Sequence, residues 1–299
     1  MPRGEILTDW AKAVPLTAAG EFFERERLLA LADSIKHAYE TARPFPHVVI
    51  DDFLPAKVAE AMLAEFPEPE EIEWEHSYAD RLEVKLACAD QTKFGLTIRY
   101  VLHELNSSAF VTFLERLTGV DGLIPDPHLS GGGLHQILPG GYLKIHADFN
   151  WYARMRVDRR LNLLLYLNRE WSEDFGGHLE LWNEQMTTCA KRILPIFNRC
   201  VIFSTTDHSY HGHPDPLTCP PGRARKSLAL YYYSNGRPEH EHSPSHSTLF
   251  RERPMEAPEE EILRILRRRR LIRSVSRWVP PMLWDWVQWL RRHFRETPV

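Results

Sequence analysis

His146 and Asp148 stand two residues apart in the stretch Tyr142-Leu143-Lys144-Ile145-His146-Ala147-Asp148-Phe149-Asn150. On an extended strand, side chains at i and i+2 share a face. One imidazole nitrogen and one carboxylate oxygen can therefore be offered to the same metal ion. A second His from elsewhere in the chain would complete a two-His-one-carboxylate face, which suits Fe(II) and leaves coordination positions open for chemistry. The pair alone carries little weight, because His-x-Asp arises by chance. The reading needs a third ligand and an anchor for a co-substrate.

Both can be proposed downstream. The apolar run Cys200-Val201-Ile202-Phe203 leads into a turn that carries His208, His211 and His213. His211 is the expected distal ligand, since a metal-binding His needs a buried, fixed position and Tyr210 beside it can wall such a site. His208 and His213 are the alternatives, and one metal leaves two of the three for surface or supporting roles. Fourteen residues past His211, Arg225 opens Arg225-Lys226-Ser227-Leu228-Ala229-Leu230-Tyr231-Tyr232-Tyr233. On a strand, Arg225 and Ser227 share a face. The planar Arg fork can grip a carboxylate with two hydrogen bonds, and Ser can add a hydroxyl. A dicarboxylate that chelates the metal at one end would be clamped by this pair at the other. Tyr166 and Gln136, on candidate core strands, can add hydrogen bonds. An isolated Arg at a strand end is ordinarily solvated, so Arg225 gains its weight from the company of His146, Asp148 and His211.

These residues need a scaffold of short strands. From Leu129 onwards, apolar runs alternate with Gly131-Gly132-Gly133, Gly140-Gly141 and Gly176-Gly177. The runs include Arg160–Leu167, His178–Trp182, Arg192–Pro195, Arg199–Phe203 and Ser227–Tyr233. Short strands separated by turn signals predict a barrel or sandwich. Before them, Leu7–Thr41 has helical apolar spacing, His47–Leu54 reads as a strand, Pro55 opens a second helix, and Thr97–Leu117 is helical. The expected organisation is an N-terminal helical and strand region over 1–128, a β-rich core over 129–238 and a tail over 239–299. The tail begins polar and His-rich, then turns basic and Trp-rich.

Bulk properties narrow the class. With 299 residues, 43% hydrophobic and 26% charged, the chain has the make-up of a soluble globular protein. The four cysteines are widely spaced and form no Cys-x-x-Cys pair, which argues against a zinc ribbon or disulfide framework and fits a reducing, cytoplasmic setting. Neither a signal-peptide apolar core nor a run of about 18 apolar residues stands out. The net charge of −4 is uneven: residues 261–299 hold ten Arg against three acidic residues, a net of +7, which leaves −11 on the rest. A basic segment with interleaved Trp reads as a peripheral membrane or partner contact, or as a helix folded back on the acidic body. Nucleic acid is not the expected partner.

The order of His-x-Asp, distal His and Arg-x-Ser resembles the prolyl-4-hydroxylase-like branch of the Fe(II)/2-oxoglutarate-dependent oxygenases. Pro44-Phe45-Pro46-His47-Val48-Val49-Ile50-Asp51-Asp52-Phe53-Leu54, Arg160–Asn168 and Gly176-Gly177-His178-Leu179-Glu180-Leu181-Trp182 add to the resemblance, which spans about Pro44 to Gly236. It implies a mostly β fold, a double-stranded β-helix (jelly roll, cupin-like) core with flanking helices. It implies Fe(II) on His146, Asp148 and His211, and 2-oxoglutarate clamped by Arg225 with Ser227 and Tyr166. Gln136 lies near a position where the family has a co-substrate contact, often a Tyr. Dioxygen is the second co-substrate, and ascorbate is a candidate accessory reductant. The implied reaction is hydroxylation of a C–H bond in a small-molecule or peptidyl substrate, coupled to decarboxylation of 2-oxoglutarate to succinate. Related halogenases carry a small residue where Asp148 stands, so a hydroxylase outcome is expected.

Other features have more ordinary readings. Arg159 and Arg160 either reach an anionic substrate or sit in a solvated turn. Phe149-Asn150-Trp151-Tyr152 can line the entrance, with Met155–Arg159 as a lid. His178 is expected to be structural, and His240 and His242 to be on the surface. The competing functions are a cupin-like metal protein without 2-oxoglutarate chemistry, and a non-catalytic sensor or scaffold.

Overall fold

The computed structural model describes residues 23–79 and 81–254; for 76–79 and 240 only the backbone is described. The chain divides into units 1–254 and 255–299, and the second, with the basic Trp-rich segment, lies outside the described residues. Among the described residues no helix is long and apolar enough to cross a membrane.

Among the described residues four helices precede the core: α1 (Arg25–Thr41), α2 (Ala56–Ala64), α3 (Leu96–Leu105) and α4 (Ser108–Thr118). In α3, Ile98, Val101, Leu102 and Leu105 form one buried stripe at helical spacing. The helix expected over Thr97–Leu117 is in fact two. Ser107 breaks it, its hydroxyl accepting a hydrogen bond from Phe110 N at 3.3 Å and so capping α4. Gly119 ends α4 in the left-handed conformation, at φ 71°. At the start of α3 the Glu65 carboxylate accepts from Thr97 N at 2.8 Å and Thr97 Oγ1 at 2.6 Å. An anion there complements the free N–H groups of the first turn.

The strands are β1 (His47–Ile50), β2 (His76–Ala79), β3 (Glu83–Cys88), β4 (Ile124–Pro125), β5 (Gly133–Ile137), β6 (Tyr142–Ala147) and β7 (Trp151–Tyr152). They continue as β8 (Val157–Tyr166), β9 (Leu179–Trp182), β10 (Cys189–Ile193), β11 (Arg199–Ser204), β12 (His211–His213), β13 (Arg225–Ser234) and β14 (Leu249–Phe250). The hydrogen-bonded order is β1-β11-β8-β13-β5-β3-β6-β12-β9-β10. Within it, β5-β13-β8-β11 and β6-β12-β9-β10 are two antiparallel four-stranded layers. Their interleaved order is that of a jelly roll, the mostly β architecture expected.

The core explains the long apolar runs. Leu161, Leu163 and Leu165 of β8, with Leu228, Leu230 and Tyr232 of β13, pack outward against Ile98, Val101, Phe110 and Phe113 of the helices. The alternate residues Leu164 and Tyr166 point inward with Val201, Phe203, Leu179 and Leu181. Both faces of β8 are buried, so Leu161–Leu165 reads as an almost continuous apolar run rather than an alternating one.

One expectation fails after Pro238. The polar stretch assigned to a tail folds onto the core, and β14 pairs with β6 through Leu249↔Ala147 and Phe250↔His146. Asn150 Nδ2 donates to Ser243 Oγ at 2.9 Å, and Asn150 Oδ1 accepts from His246 N at 2.8 Å. His246 Nε2 lies 2.8 Å from Asp207 Oδ1. Polar pairs hold this strap where the sequence shows no apolar periodicity.

Candidate metal and co-substrate site

His146 sits near the end of β6, Asp148 just beyond it, and His211 opens β12, directly opposite His146 in the antiparallel register. His146 Nε2 lies 3.6 Å from Asp148 Oδ1, and His211 Nε2 lies 3.4 Å from Asp148 Oδ2. The three donor atoms lie within 4.8 Å of one another, the one such group found among the described residues. Adjacent corners of an octahedron with bonds of ~2.1 Å are ~3 Å apart, so these donors have to draw together around an ion.

Backbone carbonyls orient both rings. His146 Nδ1 donates to Lys144 O at 2.8 Å and His211 Nδ1 to Ser209 O at 2.9 Å. With Nδ1 protonated, each Nε2 presents its lone pair inward, as a metal ligand must. Burial and the neighbouring His146 push His211 down to about 4, which keeps it in the neutral, metal-binding form. Burial would raise the Asp148 carboxyl, but the Arg159 guanidinium and His211 hold it well below the usual carboxylate range. The donor set therefore fits Fe(II) in charge, tautomer and spacing. Gly212 lets β12 approach β6: a Cβ there would lie 2.8 Å from Leu143 O and 2.9 Å from Lys144 O.

The rivals lie elsewhere. His208 has a side chain 57% exposed and pairs loosely with Glu184 at 3.7 Å. His213 is buried one strand step from His211, and neither of its ring nitrogens has a hydrogen-bond partner. Burial, then the charges of Arg225 and Lys85, keep His213 neutral.

Arg225, Ser227 and Tyr166 come together on the inner face. Ser227 stands opposite Tyr166 on one side and His135 on the other. Arg225 Nε donates to Gly177 O at 2.8 Å and Nη2 to Tyr166 Oη at 3.2 Å, which fixes the plane of the fork. Gly177 has φ 70°, and a Cβ there would lie 2.6 Å from Leu217 Cδ2 and 3.0 Å from Arg225 Cδ, so only glycine admits the guanidinium in this position. Arg225 brings a buried positive charge to the inner face, while Lys85 is paired with Glu83 at 3.3 Å; the neighbouring His135 is pushed to about 3 by burial and Lys85. A dianionic oxo-acid fits that balance.

Gln136 does not join this group. It stands opposite Lys226 in the register, on the face shared with Leu134 and Leu228, which pack against the helices. Its neighbour His135 takes the inner position. Period-2 alternation makes an error of one residue a change of face. The turn before β6 gave no cue to that phase, and both amide atoms of Gln136 are left without partners.

Beside the ligands stand Asn162, which the sequence reading did not single out, and Arg159, in a place it did not foresee. Arg159, 1% exposed, places Nη2 3.1 Å from Asp148 Oδ2, and Asn162 Nδ2 donates to the same oxygen at 2.8 Å. Arg159 thus lies neither in a solvated turn nor in an open mouth; its guanidinium carbon is 3.4 Å from the Tyr231 ring centroid and 4.6 Å from that of Phe149. Arg160 points elsewhere, to Ser234 and Glu241. His178 pairs with Glu173 away from the ligands, and His242 bonds Arg237 O on the surface.

Residues 132–247 match the family model described as the 2OG-Fe(II) oxygenase superfamily. The chain carries a 2OG-Fe(II) oxygenase domain. It is a 2-oxoglutarate-dependent, non-haem iron dioxygenase, with Fe(II) and 2-oxoglutarate as its cofactor and co-substrate. Solved structures similar to it include a Trichoplax adhaerens prolyl hydroxylase in complex with a hypoxia inducible factor oxygen degradation domain peptide (18% identity, 70% of this chain and 91% of that one, TM-score 0.49). A Pseudomonas putida prolyl-4-hydroxylase is similar at 18% identity over 70% of this chain and 100% of that one, with TM-score 0.46. HygX from Streptomyces hygroscopicus, with nickel, 2-oxoglutarate and hygromycin B bound, is similar at 10% identity over 71% of this chain and 95% of that one, with TM-score 0.46. No curated protein matches the chain.

Proposed function

We propose that this oxygenase hydroxylates a C–H bond of a small-molecule or peptidyl substrate, with Fe(II) held by His146, Asp148 and His211. The observation that carries the reading is the convergence of two Nε2 lone pairs and one ionised carboxylate from β6 and β12. Arg225 grips the far carboxylate of 2-oxoglutarate, with Ser227 and the Tyr166 hydroxyl beside it. The fork is already aligned by Gly177 O, so little ordering is left for the moment of binding. When bound, Fe(II) with 2-oxoglutarate and dioxygen supplies oxidative decarboxylation, one oxygen atom entering succinate and the other the substrate C–H bond. Leu164, Leu179, Leu181, Val201 and Phe203 wall the interior with apolar surface and exclude water. Phe149 and the 37% exposed Trp151 follow the ligand Asp148 and form the substrate side of the site.

The cysteines Cys88, Cys189, Cys200 and Cys219 are all free, which supports a reducing, cytoplasmic setting. The deciding experiment is anaerobic titration with Fe(II) and 2-oxoglutarate, followed by a succinate assay over a panel of amino-acid, peptide, sugar and natural-product substrates. The charge-transfer absorption of the chelate and substrate-stimulated succinate release are expected. Metal uptake without either would sink the proposal in favour of a metal protein that makes no use of 2-oxoglutarate.

A further inference from the structure

We propose that Arg159 and Asn162 are positioning residues that hold Asp148 as a one-oxygen ligand, and that a β-bulge at Arg160 is the device that puts both of them on it. The inference rests on Asp148 being a metal ligand, as proposed above.

In a regular strand, residues three apart point to opposite faces. Arg159 and Asn162 are three apart, yet both reach Asp148 Oδ2. The register of β8 against β13 explains this. Asn162 stands opposite Tyr231 and Leu161 opposite Tyr232, but Tyr233 faces Arg159, so Arg160 is the extra residue. A bulge re-aims the side chains on one side of it. Arg159 is turned inward and Arg160 outward, towards Ser234 and Glu241.

The bulge also couples the two residues to each other. Asn162 Oδ1 accepts from Arg159 Nε at 3.0 Å and from Nη2 at 2.8 Å, which orients the amide so that Nδ2 faces Asp148. The rings of Tyr231 and Phe149 both pack against the guanidinium. Arg159 is 1% exposed and Asn162 2%, so water does not compete for these bonds.

Asp148 Oδ2 thus accepts a hydrogen bond from Asn162 Nδ2 and is ion-paired with Arg159 Nη2, 3.1 Å away. Oδ1 faces His146 Nε2 at 3.6 Å and has neither of these partners, whereas Oδ2 carries both of them besides lying 3.4 Å from His211 Nε2. The arrangement favours binding of the metal through Oδ1 alone. A two-oxygen Asp148 would occupy a fourth of six octahedral positions and leave two. Two positions accommodate a chelating oxo-acid but leave none for dioxygen, whereas one-oxygen binding leaves three. The Arg159–Asn162 pair therefore protects the open coordination that the oxygenase reaction requires.

The test uses the full-length protein with Asn162→Ala, Asn162→Ser and Arg159→Lys. Fe(II) affinity is measured anaerobically by calorimetry. The charge-transfer absorption is read with Fe(II) and 2-oxoglutarate both saturating, and circular dichroism checks folding. Outer partners of metal ligands typically contribute 10- to 100-fold in affinity. Asn162→Ala is expected to weaken Fe(II) binding about 10-fold or more and to shift or diminish the saturated absorption band. Asn162→Ser, which keeps a donor, is expected to recover part of both. Arg159→Lys retains the charge without the fork and is expected to behave like Asn162→Ala. Folded Asn162→Ala and Arg159→Lys proteins with wild-type Fe(II) affinity and an unchanged band would overturn the positioning role. Asp148→Ala separates the two readings: if it binds Fe(II) as wild type does, the ligand assignment itself fails. If it loses Fe(II) while the other variants do not, only the positioning role fails.

Discussion

Arg225→Lys keeps a positive charge on the inner face and removes the fork. In the native protein Nε is committed to Gly177 O at 2.8 Å and Nη2 lies 3.2 Å from Tyr166 Oη, so the guanidinium plane is set before any ligand arrives. A lysine ammonium has no such plane and can grip one carboxylate oxygen at a time. The lost charge-assisted hydrogen bond is worth about 1.5–3 kcal/mol. At about 1.4 kcal/mol per tenfold, affinity for 2-oxoglutarate should fall about 10- to 150-fold. Fe(II) affinity should hold, because the hydrogen-bond partners of Arg225 are Gly177 and Tyr166 rather than His146, Asp148 or His211. The assay is anaerobic titration of Fe(II)-loaded protein with 2-oxoglutarate, followed by its charge-transfer absorption, beside a separate Fe(II) titration. A folded R225K protein that binds 2-oxoglutarate as tightly as wild type would refute the clamp. A parallel loss of Fe(II) would show that the substitution had damaged the site as a whole.

Gly177→Ala forces a Cβ to within 3.0 Å of Arg225 Cδ and 2.6 Å of Leu217 Cδ2 at a positive φ, so 2-oxoglutarate affinity should drop with Fe(II) binding retained; equal co-substrate affinity would count against it. Iron content of purified His208→Ala, His211→Ala and His213→Ala should collapse only in the His211 variant, and loss confined to either neighbour would reassign the ligand. His135 is neutral when folded, lowered from 6.5 to about 3 by burial and Lys85, while the unfolded chain takes up that proton below about 6.5. Its contribution to stability is therefore complete above about pH 6.5 and declines as pH falls towards 3, by up to ~1.4 kcal/mol per pH unit. Metal-free protein should lose Tm between pH 6.5 and 4.5, less steeply in His135→Phe; parallel curves would remove His135 as a cause. Ser107→Ala, which removes the α4 cap, should cost about 1 kcal/mol in urea unfolding, and an unchanged midpoint would show that the cap contributes nothing.

Much of the scaffold was readable because the jelly roll writes itself as short apolar runs between glycine-rich turns. The strands at Arg199–Ser204 and Arg225–Ser234 lie close to where their β-branched and aromatic residues indicated. His146 with Asp148, and Arg225 with Ser227, could be paired because period-2 alternation brings i and i+2 to one face; His211 was named for its turn beside Tyr210 and Tyr166 for its place on a core strand. The same rule misled at Gln136, where the alternation was right and its phase was wrong. At Arg159 the rule itself breaks, since a bulge depends on the partner strand and has no mark in local sequence. The strap from Glu239 to Pro254 was illegible for another reason: it is held by Asn150, Asp207 and Asp215, residues distant in the chain, rather than by an apolar face of its own.

That strap has a consequence for guests of the enzyme. A strand edge running beside the ligand His146 would invite an extended peptide to lie down as an additional strand. Leu249 and Phe250 already fill that berth, and Arg251 N donates to Ile145 O at 2.8 Å just beyond them. A peptide therefore gains no backbone ladder along β6 beside His146.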